Sequence, residues 1–360
     1  MLLLPANAFQ SPPAWGSIYK ALNGDQKRAL YASISSAFSR LGVTHVAINA
    51  PIVLTDTLGQ ENRMRSPVGL IPLHGDFGPL PSRDREDIQP NIDDFQRAFW
   101  VRTVQNHGIV QTWAPLYTMF SRGNITEKAR ILGHGNTFEG LDVHSLRGDT
   151  VVDVSVVDMY AGIGYFVFSY LKRGVSRVWG WEINGWSVEG LRRGCIANGW
   201  NCKVIRVDRD GRSSESIPDL VGNLREEDRV VVFHGDNRFA AHIMNEVQNL
   251  MTNGQSWSRI RHVNLGLLPS SGDAWHNACR LIDNEKGGWI HVHENVNMQQ
   301  VEEKKEQVTR EVGRLRSKIL GYPSPAESVA ACRHIEHVKT YAPGVMHCVF
   351  DIELLPHSEV

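Results

Sequence analysis

The spacing of apolar positions changes character near residue 151. Upstream, a helical pattern runs from about Ile18 to Leu41 and a β-type run follows at Thr44–Ala50. Residues 51–91 are rich in proline, glycine and charge, which predicts loop with short elements. Phe99 to Met119 mixes aromatic, apolar and polar positions around Asn106-His107-Gly108, the pattern of a hairpin. Phe120–Leu132 predicts a short helix, with Asn124 and Glu127 at the spacing of a capping box. From Val151 onward short apolar runs alternate with helical stretches, as in a doubly wound α/β sheet. Strands are predicted to end at Val157, and over Ser176–Glu182, Arg229–Phe233, Trp289–Glu294 and Gly344–Leu355. Helices are predicted over Tyr165–Leu171, around Ala274–Asn284 and over Gln299–Leu320, while Arg206–Asp228 reads as a polar surface insertion. The expected organisation is a smaller α+β domain over 1–145, followed by a Rossmann-like domain over 146–360 whose last strand is antiparallel.

Three of the predicted strands run into acidic residues, and that changes the picture from fold to chemistry. The first ends in Asp158-Met-Tyr160-Ala-Gly162-Ile-Gly164, where two glycines let the backbone turn tightly against a ligand. A dinucleotide loop would carry a third glycine where Val167 stands, and Asp158 would repel a pyrophosphate at close range. The same carboxylate suits a cationic sulfonium and an amino group, so S-adenosylmethionine is expected rather than NAD. Glu182 stands roughly 20 residues beyond the glycines, at the spacing that serves ribose hydroxyls. Asp236 and Asn237 follow the third strand, where paired donors and acceptors can read an adenine edge. Each motif alone is also an ordinary strand-end turn. All three lie where open α/β sheets bind ligands.

Composition adds limits. With 360 residues and 42% hydrophobic content, the chain can fill two cores. Its 38 basic and 39 acidic residues create no global field toward nucleic acid or membrane, so RNA contact must come from local patches. Five scattered cysteines without a C-x-x-C pair argue for a reducing compartment and against structural zinc. The opening Met1-Leu-Leu-Leu-Pro5 lacks the features of a signal peptide, and no stretch has the length of a membrane span. A soluble, cytoplasmic protein is expected, with a monomer favoured and neither DNA nor membrane as partner.

The segment Asn264-Leu-Gly266-Leu-Leu-Pro269-Ser-Ser271 follows the fourth strand, where a transferred group would meet its acceptor. Together with Asp158–Phe166, His234–Arg238, Trp289–Val296, Met119–Lys128 and Val338–Pro343, it resembles the tRNA wybutosine-synthesizing protein 2 family. That resemblance implies a class I methyltransferase-like fold. It also implies transfer of the 3-amino-3-carboxypropyl group of S-adenosylmethionine to the tricyclic wybutosine precursor in the anticodon region of phenylalanine tRNA, releasing methylthioadenosine. Related guanine N1 methyltransferases carry Asn-Leu-Pro at this place. Here Gly266, Leu267 and Leu268 are interposed before Pro269.

Each carbon on a sulfonium is electrophilic, and the enzyme selects one by aiming it at the nucleophile within about 3 to 3.5 Å. Holding the amino acid arm toward the acceptor requires a grip on its carboxylate. The family pattern implies Ser121 and Lys128 for this role, although without the resemblance Lys128 would read as a solvated helix lysine. Asn264 and Pro269 are expected to shape the acceptor pocket, with Asp158, His234 and Asn264 unranked as a general base. His291 and His293 share one face of a strand beside Glu294, but a third ligand at metal spacing is missing, so no metal is expected. Trp179 and Trp181 read as core. Arg122, Arg130 and Arg238 are the first candidates for tRNA contact, followed by Arg192, Arg193, Arg314, Arg316 and Lys318. Guanine N1 methylation and a non-catalytic cofactor-binding module are the rival readings.

Overall fold

Both faces of the large sheet are covered, which is why its central strands are apolar almost without alternation. In the computed structural model, which describes residues 1–49, 55, 62–67, 69–81, 89–121, 123–142, 144–254, 256–322 and 329–356, the chain forms two units. The first holds Met1–Thr103 with Thr112–Phe120, and the second holds Val104–Gln111 with Ser121–Val360. The segment 121–145, expected in the N-terminal domain, therefore belongs to the second unit. Its helix packs on that unit through the buried side chains of Lys128, Arg130 and Ile131.

In the first unit β1 (Leu2–Leu4), β2 (Val46–Ile48) and β3 (Ile71–His74) form a three-stranded sheet in that order. The helical pattern expected over 18–41 resolves into α1 (Pro13–Ala21) and α2 (Gly24–Ala37). They separate at Asn23, whose side chain and Gln26 form a capping box that starts α2. A short helix α3 (Ile92–Arg97) precedes the expected hairpin of β4 (Val101–Val104) and β5 (Val110–Trp113), through which the chain passes between the units.

The second unit begins its helices with α4 (Ile125–Ile131). The capping box expected there does not form. Asn124 makes no side-chain cap, because Glu127 is turned inward to Arg130 at 2.9 Å. The sheet then takes β6 (Val154–Asp158), β7 (Arg177–Glu182), β8 (Cys202–Arg206), β9 (Val230–His234), β10 (Arg259–Leu265), β11 (Gly288–Asn297), β12 (Ala330–Ala342) and β13 (Val345–Leu354). Their spatial order is β12-β13-β11-β10-β6-β7-β9-β8, parallel from β11 to β8 and antiparallel at β13 and β12. The direction of winding reverses between β6 and β10, which is where an open sheet of this type forms its crevice.

Helices α5 (Val167–Arg173) and α6 (Gly185–Asn198) accompany one apolar cluster, around Val156, Val178 and Val232. Helices α7 (Ile217–Gly222), α8 (Ala240–Asn253), α9 (Trp275–Leu281) and α10 (Val301–Leu320) accompany the other, around Trp179, Trp181 and Phe233. Trp179 and Trp181 are core residues, as expected. The stretch read as a polar insertion is less peripheral than expected. Its helix α7 buries Ile217 and Leu220, and the preceding β8 adds an outer strand beyond β9. The long edge strand β12, which the reading of the sequence omitted, pairs with β13 across three register shifts. Among the described residues no helix is long and apolar enough to cross a membrane.

Candidate active site

Asp158 and Asn264 stand opposite each other at the carboxyl ends of β6 and β10, on either side of the reversal. Both are fully buried, and the Asn264 amide donates to Asp158 Oδ1 at 3.3 Å. Asn264 was expected in a loop but closes the strand, so its side chain is fixed by the sheet. The Tyr160 N–H reaches the same Asp158 oxygen at 3.2 Å, while Asp158 Oδ2 has no partner. Burial pushes the Asp158 carboxyl up to about 7, against the opposing pull of these hydrogen bonds. A cation placed beside it would restore the charged form.

The loop after Asp158 turns at Gly162 and Gly164, with φ of 55° and 87°. A Cβ at Gly162 would meet the Tyr165 ring at 2.6 Å, so both the dihedral and the space require glycine. Glu182, at the end of β7, accepts the Gly162 N–H and the Asn184 N–H at 2.8 Å each. The carboxylate expected to serve the ribose thus also holds the glycine loop open. Its second lone pairs remain for hydroxyl donors. Asp236 accepts the Arg238 N–H at 3.0 Å and caps the turn after β9. Asn237 donates to the Met159 carbonyl at 2.7 Å, tying that turn to the glycine loop.

Lys128 lies on α4 with its side chain buried, not solvated. Its ammonium sits 5.4 Å from the centre of the Tyr165 ring and 3.5 Å from Gln111 Oε1. Burial lowers its pKa to about 8. Ser121 reaches the same ring, since its N–H donates to the Tyr165 hydroxyl at 3.4 Å. Lys128, Gln111, Tyr165 and Ser169 line a cleft of roughly 310 Å³ including its open mouth. Gln111 was missed in the sequence, where one polar residue in a hairpin strand gives no signal. It is buried, and its amide donates to the Gly164 carbonyl at 3.3 Å.

The loop after β10 is fastened to β11. Pro269 accepts the Asn295 N–H at 2.9 Å, and the Ser270 hydroxyl donates to Glu294 at 2.6 Å. His234 lies at the end of β9 with Nε2 buried and without a partner, its pKa lowered by burial.

The candidate RNA contacts fare differently. Arg122 lies outside the described residues, and Arg238 is exposed, donating to the Arg209 carbonyl at 2.7 Å. Arg130 is not a surface residue. It is fully buried between Glu127 and Asp351, at 2.9 and 2.6 Å, and donates to the Thr137 carbonyl. Asp351 also meets His291 at 2.7 Å, and His291 meets His262 at 2.9 Å. Burial would raise the Asp351 carboxyl, but His291 and Arg130 outweigh it and hold the group well below the usual range. At Glu127 burial outweighs the pull of Arg130 and pushes the carboxyl up to about 8. His291 is thus one link in a buried polar chain anchoring α4 to β13. Arg316 is likewise buried, donating to the carbonyls of Cys279, Ile282 and Asp283. Arg192 and Arg193 pair with Glu189 and Arg314 with Glu311, while Lys318 is exposed.

A doubly wound sheet with an antiparallel close, and acidic residues at or just beyond the ends of β6, β7 and β9, defines a class I methyltransferase-like fold. No protein-family model matches the chain. It is 40% identical to tRNA wybutosine-synthesizing protein 2 of Schizosaccharomyces pombe over 98% of its own length and 70% of the relative's. To the Saccharomyces cerevisiae protein of the same name it is 34% identical, over 87% of the chain and 60% of that relative. Among solved structures, the fold matches Pyrococcus horikoshii TYW2 in complex with MeSAdo with a TM-score of 0.53 at 16% identity, covering 93% of this chain and 86% of that one. The chain belongs to the tRNA wybutosine-synthesizing protein 2 family.

Proposed function

We propose that the protein transfers the 3-amino-3-carboxypropyl group of S-adenosylmethionine to the tricyclic wybutosine precursor base of phenylalanine tRNA. Lys128 carries the reading. A buried ammonium whose neighbours are an amide oxygen and an aromatic face is completed by a carboxylate, and S-adenosylmethionine carries one at the end of its amino acid arm. Ser121 offers a hydroxyl beside it. With the arm gripped there and the sulfonium near Asp158, the methylene next to sulfur is the carbon to be presented to the acceptor.

The remaining groups divide the cofactor between them. Glu182 takes the ribose hydroxyls on lone pairs not used by Gly162 and Asn184, and Asp236 with Asn237 receives the adenine edge. Attack by a carbon of the tricyclic base forms the new C–C bond as the C–S bond breaks. The electron pair leaves with sulfur in neutral methylthioadenosine, so no acid is needed for the leaving group. The proton lost from the attacking carbon goes to solvent or a base that the site does not single out. Catalysis then rests on orientation and on a low-dielectric setting. The acceptor lies in the anticodon region of the tRNA, and free cysteines favour a cytoplasmic setting.

The test is the identity of the released nucleoside. Incubated with S-adenosylmethionine and phenylalanine tRNA bearing the precursor, the protein is expected to release methylthioadenosine, read by liquid chromatography and mass spectrometry. Stoichiometric S-adenosylhomocysteine would instead establish methyl transfer.

A further inference from the structure

Unpartnered polar atoms gather near the carboxyl ends of β6, β10 and β11. Beside Asp158 Oδ2 and Asn264 Oδ1, His293 Nε2, His347 Nδ1 and both amide atoms of Asn295 are buried without a hydrogen-bond partner among the described residues. Each such group destabilises the site when left unmet. Several of them on neighbouring strands mark a place where a ligand supplies the missing partners.

The three β11 and β13 residues form one unit. His293 Nδ1 and His347 Nε2 are 3.0 Å apart, and both side chains are almost wholly buried. Burial, together with Lys339, lowers His347 to about 4, and burial with His347 holds His293 well below its ordinary value, so both rings are neutral. When two neutral imidazoles share one hydrogen bond, their outer nitrogens are necessarily one donor and one acceptor. Asn295 sits opposite His347 in the β11–β13 register and adds a second donor and acceptor.

The position of this unit is set by the acceptor loop. Asn295 holds Pro269 through its backbone N–H, and the Phe166 ring lies 5.1 Å from that of His293. Phe166 in turn closes on Gly266, where a Cβ would stand 3.1 Å from Phe166 and 3.3 Å from the Asn264 amide. The end of the glycine loop, the loop after β10 and β11 therefore converge.

We propose that His293, Asn295 and His347 form the subsite that reads the hydrogen-bonding edge of the acceptor base, with Asn264 and Phe166 as its inner wall. The ligand class is a planar heterocycle presenting an adjacent donor and acceptor. The proposal deepens the transfer reading and rests on it for the identity of the base. The outer donor and acceptor of the histidine pair exchange places when the shared proton crosses, the receiving ring releases its outer proton and the giving ring takes one up on its outer nitrogen, so the subsite can match either order of donor and acceptor.

Asn295→Ala, His293→Phe and His293→Gln test it, with equilibrium binding of the tricyclic precursor nucleoside to protein loaded with methylthioadenosine, which has no arm to transfer, as the primary readout. Asn295→Ala and His293→Phe are expected to weaken nucleoside binding at least tenfold, with His293→Gln recovering part of the loss. Affinity for S-adenosylmethionine should stay within twofold. Unchanged nucleoside binding in Asn295→Ala and His293→Gln would overturn the proposal, as would a parallel loss of cofactor affinity. Asn295 is only partly buried, which keeps the test usable if His293→Phe does not fold. Wild-type protein that binds the nucleoside but releases no methylthioadenosine would overturn the transfer reading and leave the subsite standing.

Discussion

The cofactor half of the cleft and the acceptor half are built to different standards. On the β7 and β9 side, Glu182, Asp236 and Asn237 are each hydrogen-bonded to backbone groups of the loops they end, so the cradle is rigid before any ligand arrives. On the β10, β11 and β13 side, Asn264, His293, Asn295 and His347 keep polar atoms unmet. In the proposed transfer, rigidity in the first half fixes where the sulfonium sits, and unmet groups in the second make the acceptor part of the finished site, which favours a base that meets all of them over one that meets a few.

The largest effect should come from cutting the support beneath the acceptor half. Arg130→Met leaves Asp351 and Glu127 buried without their cation, and should lower the unfolding free energy by about 3 to 5 kcal/mol, read from the urea midpoint. An unchanged urea midpoint would show that the Arg130 cluster does not hold this side of the sheet together. Next, Lys128→Met should weaken S-adenosylmethionine binding about 10- to 100-fold, the worth of one hydrogen bond to a charged group. The pH dependence sharpens this. With Lys128 at about 8 in the folded protein against an ordinary 10.5, the folded state holds fewer protons between those values. This group's contribution to stability therefore rises with pH from 8 to 10.5, while wild-type cofactor affinity falls over that window. Titration calorimetry on Lys128→Met should show that fall abolished. The smallest effect is expected at Glu182→Gln, which keeps the packing but replaces one accepting oxygen by a donor. A loss of about tenfold in cofactor affinity, with the urea midpoint little changed, would fit a preorganised cradle; an unfolded variant would show that Glu182 holds the whole strand end.

The strand ends at Asp158, Glu182 and Asp236 were legible because their signal is local. Each residue follows an apolar run at once or within three positions, so strand end and candidate residue are read together. The acceptor half depends on partners far apart in the chain. Arg130 looked like a helix-surface arginine because Asp351, which buries it, lies 221 positions away. Asn124 and Glu127 had capping-box spacing, yet Arg130 one turn on holds Glu127 in the interior. The two strand histidines were set apart from metal chemistry on spacing, and spacing carries no hint of His347. In α7, two buried apolar side chains were masked by the polar residues around them.

The edge of the sheet has a consequence of its own. Strand β12 is 13 residues long, and an outer strand of that length, if straight and apolar, would be a template for strands of other molecules. Its ladder to β13 is instead broken by register shifts after Cys332, His337 and Thr340, and Arg333, His334, His337 and Lys339 punctuate it with basic and titratable groups. Irregular pairing makes the outer row of N–H and C=O groups a poor match for β-addition. The protein can thus keep a long sheet beside its acceptor wall without that sheet growing into an aggregate.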